Sequence, residues 1–109
     1  EVVEGRFVDC VPFGDACLLS GIIHDWDDEA ATKILHTIAT HAPSGARVLA
    51  TESVIQPGND PDGAKWLDLL MLVLAGGRER TEGQWRALLE AAGLEPVSIA
   101  EGLVQARCR

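Results

Sequence analysis

Between Ala16 and Ile55 two apolar runs of strand length flank a single amphipathic helix pattern, and a chain so ordered has few ways to fold. The first run, ACLLSGII from Ala16 to Ile23, is continuous rather than alternating, the mark of a strand covered on both faces. After it, Ala31, Ile34, Leu35, Ile38 and Ala42 recur at helical spacing and make one apolar face. PSG at Pro43 to Gly45 ends that helix, and ARVLATESVI reads as the next strand. Strands joined through a helix cannot form a hairpin. They lie parallel, through a right-handed crossover.

The flanking segments extend this unit. EVVEGRF at the start alternates and reads as a strand or its end. QPGNDPDG is a loop, and AKWLDLLMLVLA, Ala64 to Ala75, is apolar nearly all round, so this helix is buried or lies at an interface. Gly76 and Gly77 stop it. Thr81 to Gln84 has capping-box spacing, Trp85, Leu88, Leu89 and Ala92 form the next inner face, and Gly93 closes that helix. EPVSIAEGLVQARCR finishes as two antiparallel strands around Gly102. The class is α/β: strand, strand, helix, strand, two helices, hairpin. With 109 residues, 47% of them hydrophobic and 24% charged, the chain makes one small globular domain, residues 1–109.

Charge and cysteine usage narrow the partners. A formal net charge of -8 is the wrong sign for neutralising phosphates or an anionic membrane surface, so neither nucleic acid nor membrane is expected. No stretch approaches the about 18 apolar residues that span a bilayer, and EVVEGRFVDC lacks the order of a signal peptide. The chain begins without Met, which suggests a piece of something longer. Cys10, Cys17 and Cys108 lack zinc-ligand spacing, and their odd number fits a reduced, cytoplasmic protein with cysteines as small apolar residues.

The chemistry-bearing stretch is SGIIHDWDDEAATKIL. Asp27 is a natural helix N-cap, and Asp28 and Glu29 in the first turn oppose the helix dipole. His24 precedes the cap and falls at the carboxyl end of a parallel strand, the edge where open α/β sheets bind ligands. Position leaves it two roles, a base or a loop histidine satisfied by its neighbours. Metal chemistry is not expected: His36 and His41 do not share a helix face, and no ligand set stands at workable spacing. DWDDEAATKILH lacks the central Gly and closing Glu of a calcium loop, and no G-x-S-x-G elbow is present. General base chemistry remains. Glu52 ends the second strand of the parallel pair and emerges on the same edge, where a carboxylate can hold an imidazole N–H and raise its basicity. Glu79 in GGRERT is a further candidate, or else a solvated loop carboxylate.

LLSGIIHDWDDEAATKIL, RVLATESVIQPGN and WLDLLMLVLAGGRERTEGQWRALLEAAGL together closely resemble the carboxyl-terminal half of the S-adenosylmethionine-dependent O-methyltransferases, the family of plant caffeate-type and bacterial natural-product tailoring enzymes. The resemblance runs from Glu4 to Leu94 and rests on the combination of HDW-D, a strand-ending Glu and GG-[RK]-ERT.

That resemblance implies a Rossmann-like class I methyltransferase sheet, parallel with a final antiparallel hairpin, and S-adenosyl-L-methionine as cofactor. It also implies a homodimer built through a helical domain, which, with the Gly-rich cofactor loop, lies upstream of these residues. By position, His24 matches the general base and Glu52 and Glu79 the carboxylates flanking it. Arg6, Phe7 and Ser20 match cofactor-contacting positions, Phe7 on the adenine, with Arg6 standing where the family carries an acid. Asp25 and Trp26 match substrate-side positions beside the base, and Asp68 and Met71 lie on the helix that lines the acceptor pocket in the family. The implied reaction is methyl transfer to a hydroxyl of a small aromatic or polyketide-like acceptor. The alternatives are a non-catalytic truncated or split module serving assembly, and N- or C-methylation on the same fold.

Overall fold

The expected parallel pair forms: β1 (Ala16–Ser20) lies along β2 (Arg47–Thr51) with Ala16 opposite Arg47 and Ser20 opposite Thr51, joined through α1 (Asp28–His41). The computed structural model describes residues 2–12, 14–100 and 102–109. Asp27 caps α1, its Oδ1 accepting the Ala30 N–H at 2.9 Å, and Asp28 and Glu29 occupy the first turn. Ala31, Ile34, Leu35 and Ile38 are buried, as their spacing requires.

After β2 come β3 (Val54–Ile55), α2 (Gly63–Ala75), β4 (Arg80–Thr81) and α3 (Glu82–Ala91), then β5 (Leu94–Ala100) and β6 (Leu103–Cys108). β6 inserts between β2 and β5, antiparallel to both, giving the order β1-β2-β6-β5. β3 and β4 form a separate parallel pair. The capping box on α3 is complete: Gln84 N–H donates to the Thr81 hydroxyl, and Gln84 Oε1 accepts the Thr81 N–H. α1 and α3 bring Ile34, Leu35, Ile38, Trp85, Leu88 and Leu89 into one core with Val48, Ala50, Val104, Ala106 and Cys108 of the sheet. Among the described residues no helix is long and apolar enough to cross a membrane.

Three expectations change. Residues 2–7 form no strand; Asp9 and Cys10 N–H both donate to the Arg6 carbonyl, closing a turn, and Glu1 lies outside the described residues. Alternation in this segment finds no neighbouring strand to pair with. β1 is not covered on both faces by the described residues, because α1 and α3 pack on one face only, leaving Leu18 65% exposed opposite Leu49. It also ends at Ser20, where Gly21 enters the left-handed region at φ 59 and turns the chain. ARVLATESVI divides into β2 and β3 at Glu52, whose side chain turns inward. For α2, read as buried or at an interface, these residues supply no cover: Trp66, Leu72, Val73 and Leu74 are exposed, Val73 at 81%, which leaves the interface reading.

Candidate active site

Where β1 leaves the sheet, a 3-10 turn at Ile23–Asp25 carries His24, and the end of β2 delivers Glu52 beside it. Glu52 Oε1 accepts the buried Ile23 N–H at 2.9 Å, so the carboxylate pins the turn that bears the imidazole. Glu52 Oε2 is buried without a hydrogen bond and lies 3.5 Å from His24 Nδ1. From the other side Glu79, just before β4, places Oε1 2.6 Å from the same Nδ1. Both carboxylates are buried and the imidazole is mostly so.

The charges are unbalanced in a useful direction. Burial by itself lowers the His24 pKa, but the bond to Glu79 and the fields of Glu52, Glu79 and Asp25 outweigh it, and the net shift is upward. Burial pushes the Glu52 and Glu79 carboxyls up from the ordinary range, against the lowering effect of His24. Relative to a free imidazole, the cationic form is thus stabilised between the two carboxylates, whereas the neutral ring is the form that can accept a proton. In the neutral ring, with Nδ1–H donated to Glu79, the lone pair is on Nε2, which accepts no hydrogen bond from the described residues.

The backbone around the turn is held as closely. Arg78 N–H donates to the His24 carbonyl at 2.9 Å, and Glu79 N–H donates to Asp68 Oδ1 at 2.8 Å. A Cβ at Gly77 would lie 1.9 Å from the His24 carbonyl oxygen, so only glycine lets the two backbone segments approach this far. Sequence reading missed two residues here, Gly77 and Arg80. Arg80 is buried against the turn, which a charged residue in a loop gave no reason to expect.

The remaining expected site residues are partly gathered. Phe7 meets Trp26 edge to face, with centroids 6.0 Å apart at 82°, and borders a shallow cavity of about 360 Å³ with Val3, Val11 and Pro12. Asp25 Oδ1 lies 3.5 Å from His24 Nε2. Asp68 reaches the site through the Glu79 backbone, whereas the Met71 carbonyl receives the Gly76 and Gly77 N–H groups that end α2. The Ser20 hydroxyl accepts from Thr51 Oγ1 at 3.0 Å, and Arg6 is exposed beside Asp9. His24, Glu52 and Glu79 also offer atoms within 4.8 Å of one another, a cluster that sequence spacing did not reveal. Within the cluster, Glu52 Oε1 accepts the Ile23 N–H and Glu79 Oε1 bonds His24 Nδ1, while Glu52 Oε2 has no hydrogen-bond partner among the described residues.

Comparison with known proteins fits this geometry. Residues 1–95 match the family model described as an O-methyltransferase domain. The chain is 37% identical over 106 residues to phenazine O-methyltransferase PhzM of Lysobacter antibioticus, covering 93% of this chain and 31% of that protein. It is 39% identical over 95 residues to the mitomycin biosynthesis 6-O-methyltransferase of Streptomyces lavendulae, covering 86% and 27%. Among solved structures it is similar to NcsB1, an O-methyltransferase from neocarzinostatin biosynthesis in complex with S-adenosyl-L-homocysteine and 1,4-dihydroxy-2-naphthoic acid, with TM-score 0.83, 35% identity, and 98% of this chain against 33% of that one. The chain thus spans about a third or less of the length of these relatives. On the strength of that family match it belongs to the O-methyltransferase domain family.

Proposed function

We propose that the complete protein transfers a methyl group from S-adenosyl-L-methionine to a hydroxyl of a small aromatic acceptor, with His24 as general base. The observation that carries this reading is the 2.6 Å bond between His24 Nδ1 and buried Glu79, which leaves Nε2 as the proton acceptor. A phenolic hydroxyl, with pKa about 10, is a weak nucleophile at neutral pH. Removal of its proton by Nε2 as the oxygen attacks is worth about 10²–10⁴-fold. The imidazolium so formed lies between Glu52 and Glu79, whose buried charges stabilise it.

The residues present fit one end of the cofactor. Phe7 and the apolar cavity beside it would hold a flat ring, while Ser20 already bonds Thr51 and Arg6 pairs with Asp9. When bound, S-adenosyl-L-methionine supplies an electrophilic methyl group on a cationic sulfur. Trp26, packed on Phe7 and two residues from His24, would place the acceptor between ring site and base. The exposed apolar side chains of α2 support association with further protein, within a homodimer.

Substitution His24→Gln in the complete protein tests the reading. Turnover with a phenolic acceptor should fall by about 10²–10⁴-fold while cofactor affinity by calorimetry stays within about twofold. Near-normal turnover would mean that His24 is not the base.

A further inference from the structure

Arg80 is the most heavily engaged side chain near the site, and no step of the proposed reaction uses it. Its side chain is 1% exposed. Nε donates to Asp28 Oδ1 at 2.9 Å, one terminal nitrogen donates to the carbonyls of Ile23 and Arg78 at 3.3 and 3.2 Å, and the other donates to the carbonyl of Trp26 at 3.0 Å. The Trp85 ring backs the guanidinium, 5.8 Å from its carbon to the ring centroid. These acceptors are not scattered. Ile23 and Trp26 bracket His24, and Arg78 immediately precedes Glu79.

One planar cation therefore spans the backbone on both sides of the imidazole and the backbone leading to its carboxylate partner. A guanidinium suits this task because its donors point in fixed directions, whereas an ammonium offers a point charge. We propose that Arg80 is a positioning residue: it fixes the separation between the Ile23–Trp26 turn and the Arg78–Arg80 segment, and so holds His24 in hydrogen-bonding register with Glu79. This rests on the reading of His24 as base.

The test uses the complete protein with Arg80→Met, Arg80→Lys and, as a surface control, Arg86→Met, whose guanidinium pairs with Glu82 on the exposed side of α3. A displacement of about 1 Å costs on the order of 10²-fold in rate, so Arg80→Met should lower kcat by roughly that factor with KM for the cofactor unchanged. Arg80→Lys should be nearly as defective, because it restores the charge without the fork.

The pH profile separates positioning from electrostatics. His24 faces Glu52, Glu79 and Asp25, with Asp68 behind Glu79 and Arg78 and Asp28 alongside Arg80. Removing a positive charge would by itself raise the imidazole pKa, whereas parting His24 from Glu79 lowers it. The acidic limb of kcat/KM should therefore move to lower pH in both Arg80 variants and stay in place in Arg86→Met. Full rescue by Arg80→Lys, an unmoved limb, or a limb moved to higher pH would overturn the proposal. If Arg80→Met does not fold, Arg80→Lys carries the same readings. Titration of the His24 imidazole by NMR in these variants reads the loss of Glu79 without turnover. It therefore still decides the role of Arg80 if an active His24→Gln enzyme has shown that the base is another group.

Discussion

Glu79 Oε1 stands 2.6 Å from His24 Nδ1 although 55 residues separate the two in sequence. The bond selects the tautomer, because a carboxylate only accepts and the ring nitrogen facing it must donate. Glu52 approaches the same nitrogen at 3.5 Å but spends its other oxygen on the Ile23 N–H. The two acids thus divide the work, Glu79 orienting the ring and Glu52 holding the turn on which the ring sits.

Replacing Glu79 by Gln keeps the shape and removes the charge. The raised pKa of His24 depends on that bond and on the fields of Glu52, Glu79 and Asp25, working against burial. In the complete protein Glu79→Gln should shift the acidic limb of kcat/KM downward and lower the maximal rate by about 10–100-fold. An unmoved limb would show that Glu79 does not set the basicity of His24.

Stability should depend on pH through the same groups. The folded pKa of His24 is above its ordinary 6.5, so its contribution is complete below that value and is lost as pH rises through the shifted one. Glu52 and Glu79 are also raised, from an ordinary 4.5, so they too make the native state bind more protons than the unfolded state, in a window that opens at 4.5. For all three groups the sign is a loss of stability as pH rises, through a window that opens above 4.5 for the carboxyls and above 6.5 for the imidazole. Tm of the complete protein should fall more steeply across that window than Tm of a His24→Gln, Glu79→Gln double variant, and equal slopes would remove these groups as the cause.

Much of this site is legible in sequence because a parallel pair brings its carboxyl ends to one edge. His24 after the first apolar run and Glu52 after the second had to emerge together, and they do. Arg80 was not legible, since an arginine in a polar loop has no pattern that distinguishes burial from solvation. Nor was Gly77, whose role is a close approach of backbone that only folding creates. The apolarity of α2 announced that its side chains need cover, in a core or at an interface, and these 109 residues leave Trp66 and Val73 exposed. Residues 2–7 fail as a strand for a related reason, because alternation states a preference and pairing requires a neighbour.

Gly77→Ala tests the close approach. The new methyl would meet the His24 carbonyl at 1.9 Å and the Asp25 carbonyl carbon at 2.6 Å, both backbone atoms that cannot rotate away. The turn and the Arg78–Arg80 segment must then separate, at a cost of about 1–3 kcal/mol, with a matching loss of turnover. Gly83→Ala, in α3 with no atom within 4 Å of the added methyl, should instead be neutral or stabilise by about 0.5–1 kcal/mol. Thermal unfolding and turnover of both variants decide the matter, and a silent Gly77→Ala would contradict the packing described here.

Turnover should not require a divalent cation. One oxygen of each acid near His24 is engaged, by Ile23 N–H or by Nδ1, and a cation drawn onto these acids would compete with the imidazolium that the proposed reaction forms. Activity of the complete protein should survive dialysis against a chelator. Loss that magnesium or zinc restores would assign the cluster of His24, Glu52 and Glu79 to a metal instead.

Purified alone, these 109 residues should associate and bind the cofactor poorly. Trp66, Leu72, Val73 and Leu74 present one apolar helix to water, and Leu18 does the same on the open face of the edge strand. An unpaired edge offers backbone N–H and C=O groups to another chain, and an apolar patch of this kind adds the driving force for that contact. For the cofactor, Phe7 and its cavity offer a site for a ring, while Arg6 is exposed beside Asp9 and Ser20 is already bonded to Thr51. Light scattering should report dimers or larger species, and calorimetry with S-adenosyl-L-methionine should show affinity no better than about millimolar, roughly -4 kcal/mol. Substituting Leu72 and Val73 by Gln should shift the scattering toward monomer if α2 drives association. A monodisperse monomer that binds the cofactor in the micromolar range would mean that the exposed surface is tolerated and that the ring site carries more of the binding than its residues suggest.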